Sequence, residues 1–505
     1  MIKRNLIANY LGQGYAAFTA VAILPLYIRY LGIEAYGLIG VFTIAYALLG
    51  VVDSMLQTVI TREMAQITAS AEGNTDKAPI VLFTAEITLF TLAVIITAAF
   101  WGLSEFLAVH WVRAEKLPTQ TVSCSLAWMG VVVASRLFEG LYRACLLGFQ
   151  RHVVYNALQV IITTARWGGA LVVVAFISPT ITAFFAWQAS SGMLASILLR
   201  VATHAYLPKH EDSSPYFSFA VLSQGTRFVS GVFAISFLAL LLTQLDKVIL
   251  SKMLPLSEFG YYTLANTLSV GLALVVFPIA DTCYPRMSEA LAQKDYSSVS
   301  HVFHLGAQLV SVTVGSLTIT MIIFAESVLM LWTQNPSIST KTAPILRLLL
   351  LGQLLNALYW IPYRAQLAHG WTELAVRINL MAVLLLVPAI VLTVPLYGAT
   401  GAAIIWVCLN VGYLSVGVTQ MFKRILRDER RKWYWTDTAK PLFFNTICAL
   451  IISFFHHGSA SQLENLLIIA IAWSGGLCAA ALAASYLKIH IYSLINDFFS
   501  HSKYR

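Results

Sequence analysis

Apolar runs of roughly 20 residues recur along this 505-residue chain from its N-terminus almost to its C-terminus, with short polar stretches between them. A run of that length matches the hydrocarbon thickness of a bilayer, and backbone in lipid must satisfy its hydrogen bonds within the segment. Each run therefore predicts a spanning helix. The pattern places spans at about 6–28, 36–60, 79–104, 122–146, 153–177, 179–202, 226–250, 259–283, 303–332, 344–368, 374–396, 400–422, 441–457 and 465–487. That is about fourteen helices, although the run at 441–457 is short for a crossing and twelve with a different ending would also fit. Pro25, Pro278, Pro362 and Pro388 fall inside runs, where a missing backbone donor can kink or break a helix.

One pattern occurs twice. Tyr30 to Gly37 (YLGIEAYG) joins the first two spans, and Met253 to Gly260 (MLPLSEFG) joins the seventh and eighth. A constant offset aligns Arg4 with Arg227, Arg29 with Lys252, Leu31 with Leu254, Tyr36 with Phe259 and Gly37 with Gly260. After a one-residue slip it aligns Arg62 with Arg286. An internal duplication of this kind predicts an all-α polytopic membrane protein with two pseudo-symmetric six-helix lobes, related as parallel repeats, plus two extra C-terminal helices. The expected layout is an N-terminal lobe at 1–204, a cytoplasmic linker at 205–225 and a C-terminal lobe at 226–422. A basic loop at 423–440, two helices within 441–487 and a tail at 488–505 complete it.

Composition agrees with the pattern. With 58% hydrophobic and 11% charged residues and a mean hydropathy of +0.75, the chain cannot assemble a water-soluble surface, and no sizeable soluble domain is left over. The first run follows Lys3 and Arg4 but is long, contains Asn9 and Gln13 and lacks a small-residue cleavage site, so it reads as a span and not as a signal peptide. The net charge of +9 sits mainly in short loops that alternate in basicity. By the positive-inside rule this puts both termini in the cytoplasm and removes any need for a nucleic-acid partner. The dense loop from Lys423 to Lys440, with its aromatic anchor, reads as a topology signal of the same kind ahead of specific lipid recognition. Six cysteines are scattered singly, without disulfide or metal-ligand spacing. Nothing points to a metal, a cofactor or a catalytic group, and the pair His456 and His457 is isolated.

Candidate chemistry lies in the charges that a membrane ought to exclude. An Arg or Asp near the centre of a span costs about 2.5–3.5 kcal/mol on insertion scales, so one that stays there faces a partner or a wet cavity. Arg136, Glu139 and Arg143 fall on one side of the fourth span, Arg166 lies mid-way along the fifth, Asp53 is on the second and Glu86 on the third. Arg143 is near a helix end, where it could snorkel; Arg227, Arg347 and Arg364 also sit near ends and read as interface anchors. The planar guanidinium fork suits phosphate and carboxylate, so the favoured cargo is anionic. The candidate substrate contacts are Arg136, Arg166, Arg143 and Arg227, with Asp53, Glu86 and Glu139 as charge partners or ion couplers. Tyr10, Tyr15, Tyr155, Trp167 and Trp187 could stack on sugars, though such residues usually pack or sit at the interface.

Leu26-Tyr27, Leu31-Gly32, Tyr36-Gly37, and then Asp53 with Arg62 nine residues later, resemble the polysaccharide transporter (Wzx-type flippase) family of the multidrug/oligosaccharidyl-lipid/polysaccharide exporter superfamily. Asp246 to Leu250 (DKVIL) and Glu258 to Tyr262 (EFGYY) resemble its second half, while Met55 departs from the Gly frequent there. The resemblance implies a V-shaped alternating-access fold in the bacterial inner membrane. It implies a flippase that carries undecaprenyl-pyrophosphate-linked oligosaccharide units, such as O-antigen repeats, from the cytoplasmic to the periplasmic leaflet. Membrane lipids, a polysaccharide polymerase and chain-length proteins are the implied partners. The arginines would then screen the pyrophosphate or acidic sugars. A cation-coupled drug antiporter of the same superfamily is expected to carry an acidic residue deep in its first helix, which here holds only Asn9, Gln13 and Tyr15. The peptidoglycan-precursor flippase branch is expected to carry an Arg-Asp signature there, also missing. A membrane-embedded glycosyltransferase or polymerase would need larger catalytic loops than these.

Overall fold

The computed structural model describes residues 2–69, 77–207, 215–455 and 461–489. It divides into two compact units, Met1–Gly260 and Tyr261–Arg505. Among the described residues ten helices are long and apolar enough to cross a membrane, and the isolated bridge between Arg113 and Pro255 is the one extended pairing. Large apolar side chains such as Phe90, Trp101, Leu385 and Phe454 are exposed, as a surface facing lipid requires. His456 and His457 lie outside the described residues.

In the first unit α1 (Ile2–Ala69) contains the first two predicted spans. They part at Gly32, whose φ of 84° and ψ of 166° suit only a residue without a side chain. Pro25, by contrast, lies within continuous helix. Then follow α2 (Lys77–His110), α3 (Thr119–Gly148) and α4 (His152–Thr163). The fifth span continues through a π-helical turn at Thr164–Gly168, the short α5 (Gly169–Val172) and a second π-helical turn at Val173–Ile177. The unit also holds α6 (Ile181–Tyr206), capped by the Thr180 hydroxyl, and α7 (Phe219–Met253), capped by that of Ser218. Its core includes Met64, Leu82, Leu137, Leu141, Cys145 and Leu199.

The two copies of the repeated turn meet reciprocally. After α7 the chain turns at Leu254 and Pro255 into α8 (Leu256–Val270). A methyl group on Gly37 would overlap the Leu256 carbonyl, and one on Gly260 would overlap that of Ile33. The offset that aligns Gly37 with Gly260 also aligns Ile33 with Leu256, so the two contacts are equivalent under the duplication. Both turns hold the loop between α2 and α3. The buried Glu34 carboxylate accepts from the backbone N–H groups of Glu115, Lys116 and Leu117 at 2.6–3.4 Å, and Leu256 N–H donates to the Arg113 carbonyl at 2.8 Å.

The second unit continues with α9 (Ala273–Ala292), which contains Pro278. Next come α10 (Tyr296–Ile323), α11 (Ala325–Thr333) and α12 (Pro336–Ala368), the last containing Pro362. In α13 (Glu373–Gly412) the break falls at Gly398, with φ of 57°, and not at Pro388. A π-helical stretch at Tyr413–Val418 leads into α14 (Thr419–Arg424). The basic loop forms a 3-10 turn at Arg427–Glu429, α15 (Arg430–Lys432) and a π-helical stretch at Trp433–Ala439. It runs directly into α16 (Lys440–Phe454), 15 residues long, and α17 (Gln462–Ala483) follows with a Ser461–Glu464 capping box. Val312 of α10 packs with Ala480 of α17 and Ala484, and Ile319 with Ala449 of α16. The C-terminal helices thus dock on α10. All six cysteines are free thiols.

Candidate functional site

Three of the predicted charges converge in the first unit. Glu139 on α3 holds two arginines at once: its Oε1 accepts from Arg166 Nη2 at 2.5 Å and its Oε2 from Arg136 Nη1 at 3.1 Å. The Arg166 side chain is 3% exposed and that of Glu139 9%, so this is an ion triad in a low-dielectric interior. Arg136, half-buried, also stands over the Tyr46 ring at 4.9 Å.

Local backbone makes the triad possible. Arg166 sits within the π-helical turn at Thr164–Gly168. The extra residue in such a turn re-aims side chains relative to a regular helix, and π turns are frequent at functional sites. Trp187 of α6 braces the turn by donating from Nε1 to the Ala165 carbonyl at 2.9 Å while lying against Gly169, where a methyl group would collide with its ring. The Nε atoms of Arg136 and Arg166 are buried and have no partner among the described residues.

A second pair adjoins the triad. Arg143 Nη2 donates to Asp53 Oδ2 at 2.5 Å, and Asp53 lies close enough to act electrostatically on Arg136 as well. Asp53 reaches this position because α3 has glycine at 140, where a methyl group would strike the carboxylate. Together the two groups hold three arginines and two carboxylates, an excess of positive charge.

Most of the remaining predicted residues fall elsewhere. Glu86 is not among these arginines; its Oε1 accepts from Tyr142 at 2.8 Å and from Arg200 at 3.1 Å, with His204 at 3.5 Å, tying α2 to α3 and α6. The side chain of Arg227 lies outside the described residues. Tyr15 bonds Thr164 and Trp167 packs on Tyr27, whereas Tyr155 stays at the site, facing Gln159 and hydrogen-bonding Arg143; the side chain of Tyr10 lies outside the described residues. Arg364 of α12 is paired with Asp281 of α9 and lies over the rings of Trp360 and Tyr284 at 5.6 and 5.8 Å, so it does more than anchor an interface. Asp281 and Arg364 join the eighth and tenth predicted spans by an Asp–Arg pair, as Asp53 and Arg143 join the second and fourth, although the repeat offset does not align the two pairs residue by residue.

One network escapes sequence reasoning altogether. His304 on α10 is fully buried, with Nδ1 against Asp437 and Nε2 3.1 Å from Glu429. Gln308 donates to Asp437 at 2.8 Å and accepts from the backbone N–H groups of Tyr486 and Leu487 at 2.9 and 3.1 Å. It joins α10 to the basic loop and to the segment after α17, each more than a hundred residues away, so no local pattern marks it.

The family model for polysaccharide biosynthesis protein matches residues 2–291, and the MatE model matches residues 232–392. A Shigella flexneri protein with the provisional name O-antigen transporter is 22% identical over 410 residues, 80% of this chain and 94% of its own. Among solved structures, the lipid II flippase MurJ in an inward closed conformation superposes with a TM-score of 0.72 at 12% identity, covering 95% of this chain and 98% of its own. An inward-facing multidrug resistance MATE family transporter gives 0.61 at 15% identity, covering 81% and 96%. At these identities the structural likeness speaks for the fold.

Proposed function

The chain belongs to the polysaccharide biosynthesis protein family, and from that premise we propose that it is a flippase for undecaprenyl-pyrophosphate-linked oligosaccharide units. It is a multi-pass membrane protein with the helical fold of known flippases and transporters. In this reading it resides in the bacterial inner membrane with both termini in the cytoplasm, and turns O-antigen or similar repeats to the periplasmic leaflet by alternating access. The work is transport and not catalysis, and polymerase and chain-length proteins receive the flipped unit. The Shigella flexneri relative, named for O-antigen transport, supports the cargo class.

The observation that carries the reading is the buried triad of Arg136, Glu139 and Arg166, with Arg143 and Asp53 beside it. An anionic headgroup crossing a low-dielectric core needs cations already held in place, because the protein then reorganises little as the charge passes. Two arginines sharing one carboxylate leave positive charge unneutralised, and fork-shaped donors match phosphate oxygens. Asp53 and Glu139 are the proposed counter-charges or ion couplers. Glu86 is a helix tie in this scheme, and Arg227 joins the substrate set on its sequence position alone.

The test is complementation of a deletion strain. Arg136→Ala and Arg166→Ala are expected to abolish surface glycan at normal protein abundance, with Arg→Lys retaining part of it. Wild-type glycan from both alanine variants would overturn the cationic site.

A further inference from the structure

The basic loop carries more structure than a topology signal requires. Its residues form two rows. Glu429, Trp433 and Asp437, spaced four apart, face inward. Trp433 is 1% exposed, Asp437 is buried against His304 and Gln308, and Glu429 accepts from Ser300 at 3.0 Å and Lys432 at 2.9 Å besides facing His304. The inward row thus fixes the loop on α10. The outward row is Arg427, Arg430, Arg431, Tyr434 and Trp435, which with Asp428 lines an open cavity of about 790 Å³. Among the described residues none of the three arginines has an ion pair, and Arg430 lies 5.9 Å from the Tyr434 ring.

An apolar stripe begins where the cavity ends. Trp435 is 71% exposed, and beyond it Phe443, Ile447, Ile451 and Phe454 are exposed on α16 at intervals of three or four residues, one face of a helix. Three exposed guanidinium groups lining one cavity beside an exposed tryptophan, followed by an exposed apolar helix face, complement one kind of molecule: a phosphate ester with acyl chains.

We propose that Arg427, Arg430 and Arg431 bind the headgroup phosphate of an anionic phospholipid, whose acyl chains lie along the exposed face of α16. The site belongs to the second unit alone and is independent of the cargo. A topology signal needs only positive charge in a loop, whereas a fork-shaped phosphate site distinguishes arginine from lysine. That difference makes the two separable.

The experiment titrates the purified full-length protein in detergent with phosphatidylglycerol or phosphatidylethanolamine and counts retained lipid by native mass spectrometry. The wild type is expected to retain phosphatidylglycerol preferentially, and less of it as salt rises. Replacing all three arginines by glutamine should weaken retention on the order of a hundredfold at low salt, about fivefold per charge. The triple lysine variant keeps the charge that insertion needs, so it reads the site even if the glutamine variant fails to fold. It should be weaker than wild type by several-fold. Equal retention of the two lipids, or a lysine variant that binds like wild type, would overturn the proposal. So would thermal stabilisation by inorganic phosphate with none by phosphatidylglycerol, which would assign the cavity to a soluble anion.

Discussion

Glu139 is the residue on which the candidate site balances. Removing its charge leaves Arg136 and Arg166 buried without a carboxylate, and breaking a buried ion pair from one side costs about 3–5 kcal/mol. Glu139→Gln should therefore lower the thermal midpoint in detergent markedly, while Glu139→Asp retains part of the loss. Unchanged midpoints in Glu139→Gln would mean that the two arginines find other partners. The set of charges was legible, because lipid excludes charge and makes each exception conspicuous. Their pairing was not. Which arginine shares Glu139 depends on the π turn around Arg166, and Asp53 reaches Arg143 only past Gly140; neither leaves a pattern in the sequence. Glu86, an equal candidate by sequence, turned out to serve Tyr142 and Arg200.

Glu429 gives the fold a dependence on pH. Partial burial pushes the Glu429 carboxyl up, but hydrogen bonds from Lys432, Ser300 and His304 outweigh it and hold the group below its usual value. A carboxyl depressed by folding contributes stability that is present above its unfolded value, near 4.5, and is lost as pH falls through the lower folded value. Glu429→Gln should reduce stability at neutral pH and flatten its loss in acid, measured by thermal unfolding across that window. An acid profile identical to wild type would remove Glu429 from the contacts that fix the basic loop on α10.

At the scale of elements, the repeated turns and the latch on α10 make separate predictions. Because Gly37 and Gly260 each abut the other turn's backbone, Gly37→Val and Gly260→Val should destabilise by comparable amounts, about 1–3 kcal/mol for overpacking. A large effect at one and none at the other would contradict their equivalence. The turn glycines could be read from the sequence because the offset aligned them. Breaks were expected at prolines and fall instead at Gly32 and Gly398, since positive φ reverses a chain and a lost donor in lipid is tolerated within a helix. The latch joins α10, the basic loop and the segment after α17 through His304, Asp437 and Gln308, and this long-range closure could not be read from composition. His304→Ala leaves Asp437 buried without that partner and should loosen the loop, seen as faster hydrogen exchange over residues 427–437.

At the scale of the whole molecule, membrane class, helical architecture and family were open to reading from apolar runs, the repeat and a few motifs. All three agree with the helices and the family match over residues 2–291. Transport of a lipid-linked glycan is the claim that joins them. Its most direct test is the leaflet in which lipid-linked intermediates accumulate when the protein is depleted. The account predicts complete undecaprenyl-pyrophosphate oligosaccharide trapped on the cytoplasmic side, restored to the periplasmic side by wild type and not by Arg166→Ala. Truncated intermediates, or complete ones reaching the periplasmic leaflet at the normal rate without the protein, would contradict it.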